Sequence, residues 1–330
     1  MEIRSMLRKP HVQAITLIAT LALAIVSNTI FGGTALGFVP IIFGLLVVAE
    51  IALFVSMEVK EGAEKHGWKH EAMDTAIALG VALLIWFGAS FVLNTSSPVS
   101  AVVSCSMLPN LYRGDFVLVQ GAPVKAYELE MTRAELESLT DEKAFVSFGG
   151  KNVSIDGSLF PYCLQNRYSE ACQAFVNSPG SVSEKKGAFT YSYQSCPVTF
   201  KNGSTASAPC LKSVSFRGKE YLTNFSHDII VYAPPEGDLY ASIGDIVHRT
   251  FFAIDVDGEK YYVTRGDNNP LLDMQVYDYG TGLTNHPVPQ DSLRGKVVAR
   301  IPLLGYFKLF LSGFFQEDSQ CRMQLQFEHN

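Results

Sequence analysis

Three long apolar stretches occupy the first third of the chain, and short alternating runs fill much of the rest. The stretches cover residues 12–31, 35–57 and 75–93. Each is close to the ~20 residues an α-helix needs to cross a hydrocarbon core of ~30 Å. The first has too long an apolar core for a cleaved export signal, and another stretch follows it directly. The pattern predicts a membrane anchor over residues 1–94 with three transmembrane helices. Basic residues set its orientation. Arg4, Arg8 and Lys9 precede the first stretch, the 32–34 loop has no Lys or Arg, and Lys60, Lys65 and Lys69 lie between the second and third. The N-terminus and the loop between the second and third stretches are therefore expected in the cytoplasm, with everything after Asn94 outside.

Beyond Pro109 the pattern changes. Residues 115–120, 227–232, 245–252, 260–265 and 296–301 are short runs rich in Val, Ile and aromatics, bounded by Gly, Pro and Asp. Such runs predict an antiparallel β-barrel or sandwich. Residues 127–141 read as a short helix by their Glu, Leu, Met and Ala spacing. Residues 143–224 are rich in Ser, Gly, Asn and Tyr and show no strong period, which suggests an inserted, loop-rich subdomain. The β core is then split between 95–142 and 225–306. Residues 301–315 are apolar with Lys308 in the middle, so an interfacial segment fits better than a fourth crossing. A polar tail covers 316–330.

Composition refines this picture. A chain of 330 residues has room for the anchor and one globular domain. The net charge of −6 offers no basic face for nucleic acid. Of six cysteines, Cys163, Cys172, Cys196 and Cys210 fall in the insertion, while Cys105 and Cys321 stand apart. The four lie on the expected outer side, where thiols oxidise, so disulfides are expected with their pairing left open. No CxxC pair or histidine cluster accompanies them, which makes a metal centre at these cysteines the lesser reading. Asn94, Asn152, Asn202 and Asn224 each begin an N-glycosylation sequon, again on the outer side.

Chemistry concentrates just past the third stretch, at Ser104-Cys105-Ser106-Met107-Leu108-Pro109. A serine hydroxyl is a poor nucleophile until a base takes its proton. Of seven histidines, His11, His66 and His70 are on the cytoplasmic side, leaving His227, His248, His286 and His329. His248 sits in the 245–252 run, where a strand would fix its geometry, although a lone strand histidine is commonly structural. Asp267, in the Gly266-Asp267-Asn268-Asn269 turn, reads as a candidate acid or as a turn aspartate bonding its own backbone. Asp278 is a further carboxylate without a motif.

Several of these blocks resemble type I signal peptidases. They are Ser104 to Pro109 with Gly114-Asp115, then Asp228-Ile229-Ile230-Val231-Tyr232, then Gly244-Asp245-Ile246-Val247-His248-Arg249, then Gly266 to Asn269, and last 295–305 (GKVVARIPLLG). They follow that family's order. His248 stands where the bacterial branch has Lys, as in the archaeal and endoplasmic-reticulum branch. The resemblance implies a signal-peptidase-like β domain that removes signal peptides from secretory preproteins by a Ser–His–Asp acyl-enzyme route, without metal or cofactor. It implies Ser106 as nucleophile, His248 as base, Asp273 as the acid orienting His248, and Asp267 as a supporting carboxylate. The Ser106 N–H and the Ser104 hydroxyl would form the oxyanion hole, and the 115–120 strand could pair with an extended substrate. Its implied partners are preproteins, the lipid bilayer and the export channel. A multi-pass archaeal plasma-membrane protein is favoured over the endoplasmic reticulum, because the extra spans and the insertion fit a compact eukaryotic subunit poorly. The sequence departs from that branch at Cys105, usually Gly, and at Leu108, often Glu. Cys105 as nucleophile is the lesser alternative. Two other readings stay open: a catalytically inactive membrane glycoprotein that binds through the 143–224 insertion, and a related membrane protease acting on other substrates or on itself.

Overall fold

The computed structural model describes residues 10–31, 38–311, 317 and 319–327. Arg4, Arg8, Lys9, the 32–34 loop, residues 312–316 and His329 lie outside them. The chain divides into two compact units, one of Met1–Val92 with Tyr306–Asp318 and one of Leu93–Gly305 with Ser319–Asn330.

The first unit contains helices α1 (Pro10–Phe31), α2 (Phe38–His66) and α3 (Trp68–Val92). Two helical stretches, Ile42–His66 and Trp68–Val92, are long and apolar enough to cross a membrane, and the apolar stretch Val12–Ala24 in α1 is shorter. In α1, the Thr20 hydroxyl donates to Glu50 Oε1 of α2 at 3.0 Å. No side chain of α3 is buried. The segment between the second and third apolar stretches, expected as a loop, is helical on both sides of Gly67. Its Glu, Lys and Ala are good helix formers, and Lys65–Glu61 adds an i,i+4 ion pair. Gly67, at φ 84°, supplies the left-handed turn that parts α2 from α3.

The second unit is mostly antiparallel β. One sheet holds β1 (Val99–Ala101), β2 (Phe116–Gln120), β3 (Tyr127–Glu130), β10 (Ile229–Tyr232), β11 (Ile246–Val256), β12 (Glu259–Arg265), β13 (Val288–Pro289) and β14 (Leu293–Ile301). Its order is β1-β2-β14-β10-β11-β12-β13, with β3 parallel to β11. β1 and β13 are the unjoined ends, so the sheet is open rather than a closed barrel.

The predicted helix at 127–141 is corrected here. Residues 127–130 form β3, where Leu129 points inward between outward Glu128 and Glu130. Pairing with β11 outweighs the helical propensity of glutamate. Only Arg133–Ser138 is helical (α4), with Thr132 and Glu135 forming a capping box at its start.

The insertion is not loop-rich. It forms a second sheet of β4 (Lys143–Phe148), β5 (Lys151–Asp156), β6 (Val182–Lys186), β7 (Phe189–Phe200), β8 (Thr205–Phe216) and β9 (Lys219–Leu222), in the order β5-β4-β6-β7-β8-β9. β15 (Met323–Leu325) adds to β7. In β4, Ala144, Val146 and Phe148 are buried while Phe145 is exposed. Two short helices, α5 (Leu159–Gln165) and α6 (Glu170–Asn177), are joined by a disulfide between Cys163 and Cys172. A second disulfide, Cys196–Cys210, crosses the β7–β8 hairpin.

Both sheets share one core. Phe189, Tyr191, Leu211 and Val214 of the insertion pack in a single cluster with Leu129, Phe252, Ile254 and Val263. A smaller core of Val102, Met107, Leu111, Val117, Val119, Val231 and Val247 lies under the Ser106 segment. Residues 301–315 are described only as far as Leu311. Ile301 ends β14, residues 302–305 are a turn, and only Tyr306–Leu311 is helical (α7) in the described part.

Candidate active site

Ser106 lies in a turn that leaves β1. The ends of this excursion are closed by Val102 N–H donating to Asp115 O (2.9 Å) and Gly114 N–H donating to Val102 O (2.8 Å). Met107 turns inward and is 1% exposed, so it anchors the turn in the core. The opposite neighbour, Cys105, is buried and bonded to Cys321. A disulfide sulfur cannot act as a thiolate, which removes Cys105 as an alternative nucleophile.

His248 lies on β11, paired with Ile230 of β10. Its Nε2 is 2.9 Å from Ser106 Oγ, and its Nδ1 is 2.6 Å from Asp273 Oδ2. All three residues are buried, with Ser106 at 7% exposure. The carboxylate can only accept, so Nδ1 carries the proton and Nε2 is left to accept from Ser106. Ser104 Oγ stands 3.0 Å from Ser106 Oγ. With the Ser106 proton committed to His248, the Ser104 hydroxyl is the donor in that pair. The Ser106 backbone N–H has no acceptor among the described residues.

Asp273 begins a 3-10 turn, Asp273–Gln275. Its Oδ2 also accepts from Thr264 Oγ1 at 2.6 Å and from Tyr232 OH at 3.2 Å, while Oδ1 has no partner among the described residues. Hydrogen bonding thus converges on the oxygen that faces the imidazole. Burial, and next the Asp273 charge, push the Tyr232 phenol well above its ordinary range, which keeps it a proton donor. Asn285 Nδ2 holds the Asp273 carbonyl at 3.0 Å.

The insertion reaches this turn. Gln275 Nε2 donates to Tyr193 OH at 3.0 Å, and Tyr193 OH donates to the buried Glu184 carboxyl. Burial pushes the Glu184 carboxyl up and pulls the Lys186 amine down. None of Thr264, Asn285, Gln275, Tyr193 or Glu184 was singled out by motif reading, and Tyr232 only closed the 228–232 block without a role of its own. Thr264, Tyr232, Tyr193 and Glu184 are polar residues on buried strand faces, visible only once the strand register is known, while Gln275 and Asn285 lie in a 3-10 turn and a loop.

Asp267 is placed beside the triad, not in it. Arg249 grips it bidentately, Nε to Oδ1 and Nη2 to Oδ2, both at 2.7 Å, and Asn110 Nδ2 adds a third bond to Oδ2 at 2.7 Å. The turn-aspartate alternative is thereby replaced by a buried ion pair. Burial also pulls the adjacent Arg265 guanidinium down to about 10. Asp278 is half-buried and caps its own turn through Gly280 N–H and Thr281. His286 pairs with Asp238, and His227 Nδ1 faces Thr250 O. Neither contacts Ser106.

Two surface clefts, of about 590 and 530 Å3, line β3, β9 and β11 and the 94–96 linker respectively. Neither includes the triad, so hydrogen-bond geometry rather than cavity size locates the chemistry. The described residues contain no cluster of three or more metal-binding side chains. What remains is a serine, an imidazole and a carboxylate in linear order, a constellation that can carry out acyl transfer on any supporting fold. No protein-family model and no curated protein matches the sequence.

Proposed function

We propose that this chain is a membrane-anchored serine endopeptidase that removes signal peptides from secreted preproteins. The observation that carries the reading is the hydrogen-bonded series Ser106–His248–Asp273. The resemblance to type I signal peptidases at the same three residues supplies the substrate class. Disulfides Cys105–Cys321, Cys163–Cys172 and Cys196–Cys210 support a catalytic unit outside the cytoplasm, where such bonds persist. In this reading all three N-terminal helices span, and the host membrane is an archaeal plasma membrane. Fourteen residues beyond Val92 reach Ser106, a tether of at most ~50 Å. That keeps enzyme and membrane-held substrate in one thin layer.

Ser106 Oγ attacks the scissile carbonyl as His248 Nε2 takes its proton. Asp273 stabilises the resulting imidazolium and holds its orientation. The carbonyl oxygen, now negative, meets the Ser106 N–H, and a repositioned Ser104 hydroxyl is the second donor. Each such donor is worth about 3 kcal/mol in the transition state. The C–N bond breaks, His248 returns the proton to the leaving amine, and the mature chain departs. Water, deprotonated by His248, then hydrolyses the ester, giving the signal-peptide carboxylate and free Ser106.

The test is cleavage of a preprotein with small residues at its cleavage point by the full chain in liposomes, read by mass spectrometry of the new N-terminus. Wild type should cut at one bond, and Ser106→Ala should not. Full activity in Ser106→Ala would end the proposal. Cleavage of other membrane proteins but never of a preprotein would favour the related-protease reading.

A further inference from the structure

The segment carrying Ser106 is held from behind by residues distant in sequence. Asn268, 2% exposed, is the junction. Its backbone N–H donates to Ser106 O at 2.7 Å. Its Nδ2 donates to Cys105 O at 3.1 Å and to Met323 O at 3.0 Å, and its Oδ1 accepts from Leu325 N–H at 2.7 Å. One side chain therefore ties the nucleophile segment to β15. Next to it, Gln320 Nε2 donates to Asn269 Oδ1. A covalent tie runs in parallel, because Cys105 is disulfide-bonded to Cys321 across 216 residues.

β15 is itself anchored. It pairs with β7 from Met323↔Phe200 to Leu325↔Val198, and Leu325 is buried against Cys196, Val198 and Cys210. The strap thus connects the insertion sheet to the residue beside the nucleophile. Ser106 must keep its 2.9 Å contact with His248 for proton transfer, and a misplacement of ~1 Å can cost about 100-fold in rate.

We infer that residues 319–326 are a positioning strap for the catalytic serine, and that the Cys105–Cys321 disulfide makes hydrolysis sensitive to thiol reductants. The inference rests on the serine-peptidase reading. A reductant, either a dithiol or a phosphine with water, supplies two electrons and two protons to the S–S bond. The bond opens to two thiols, on Cys105 and Cys321, and the reductant is oxidised. Asn268 then holds the strap to the Ser106 segment by hydrogen bonds alone. Asn268 and Cys321 act through Ser106 and are positioning residues.

The experiment compares the full chain in liposomes as wild type, Cys321→Ser and Asn268→Asp. Preprotein cleavage gives kcat and KM, and hydrogen exchange is followed over residues 104–111 and, as a folding control, 143–224. Asn268→Asp keeps the disulfide and the size of the side chain but turns its amide donors toward two carbonyls into acceptors. Exchange over 104–111 should quicken in both variants and in phosphine-reduced wild type, while 143–224 in the variants stays as in wild type. kcat should fall 10–100-fold with KM within about twofold, and reductant should have no further effect on Cys321→Ser. Wild-type exchange and kcat in Cys321→Ser would overturn the inference, as would an undiminished response of that variant to reductant. If Cys321→Ser loses protection throughout, Asn268→Asp decides in the same way. If wild type cuts no preprotein, the function reading fails, and exchange over 104–111 alone still decides whether the strap positions Ser106.

Discussion

Replacing Asp267 with Asn should lower stability far more than its small change in shape suggests. Asp267 is 1% exposed, and Arg249 occupies both of its oxygens at 2.7 Å. In Asp267→Asn one oxygen becomes an NH2 group. Turned one way it faces Arg249 Nη2 and the Asn110 amide, and turned the other way it faces Arg249 Nε. Either orientation sets donor against donor and leaves the buried guanidinium without a counter-charge, with Arg265 buried nearby. Breaking one partner of a buried pair costs about 3–5 kcal/mol, a large share of a total stability of about 5–15 kcal/mol. At about 2–4 °C per kcal/mol for a domain of this size, the melting temperature should fall by about 6–20 °C. The chain's two tryptophans, Trp68 and Trp86, both lie in α3, so their fluorescence does not report on the β unit. Near-UV circular dichroism of the tyrosines is the suitable probe. The double variant Asp267→Leu with Arg249→Met removes both charges but frees the Phe225 and His227 carbonyls that Arg249 Nη1 holds at 2.7 and 2.5 Å. It should recover part of the loss. An Asp267→Asn protein that melts within about 2 °C of wild type would refute this account of the pair.

Three further outcomes concern the Ser106 anchor and two titratable groups elsewhere in the β unit. Gly266→Ala places a Cβ 2.6 Å from Ser106 O, prising the nucleophile segment from Asn268, and should reduce kcat about 100-fold; unchanged turnover would show that this anchor does not matter. Glu184 has its carboxyl raised by burial, so its contribution is full below the ordinary glutamate value and is lost as pH rises toward the raised one. Glu184→Gln has no such loss, and its melting temperature should overtake wild type as pH rises through that window; a constant difference across pH would contradict this. His286 is raised by its hydrogen bond to Asp238, so the pair stabilises below the ordinary histidine value and fades as pH rises through the raised one. His286 is half exposed, which holds the effect below about 1 kcal/mol. The melting gap between wild type and His286→Gln should be widest in acid and close in alkali, and a gap that widens with pH would reverse the assignment.

The parts of this site that could be read from the chain are those with local signatures. Ser106 lies in a short block next to a linker, His248 in a Val/Ile-rich run, and Asp267 in a Gly-Asp-Asn-Asn turn. Each depends on a few adjacent residues. What escaped depends on strand register. β7 buries Phe189, Tyr191 and Tyr193, but its phase shifts near Cys196 and its outward positions carry Ser, Gln and Thr, so the run blurs into a polar loop. β4 carries Phe145 on its outer face, which breaks the alternation that marks a half-buried strand. In β3 a tertiary partner overrode helical propensity. The Tyr193–Gln275 bond spans 82 residues, and the Cys105–Cys321 bond joins the two cysteines that stood outside the obvious cluster. No local pattern encodes such pairings.

The strap has a consequence for biosynthesis. During translation, Ser106 leaves the ribosome long before residues 320–326 do, and Cys321 follows Cys105 by 216 residues. The nascent chain must supply both sheets and β15 before the Ser106 segment receives its final restraints. The Ser106 segment therefore takes its final form only after residues 319–326 have been made.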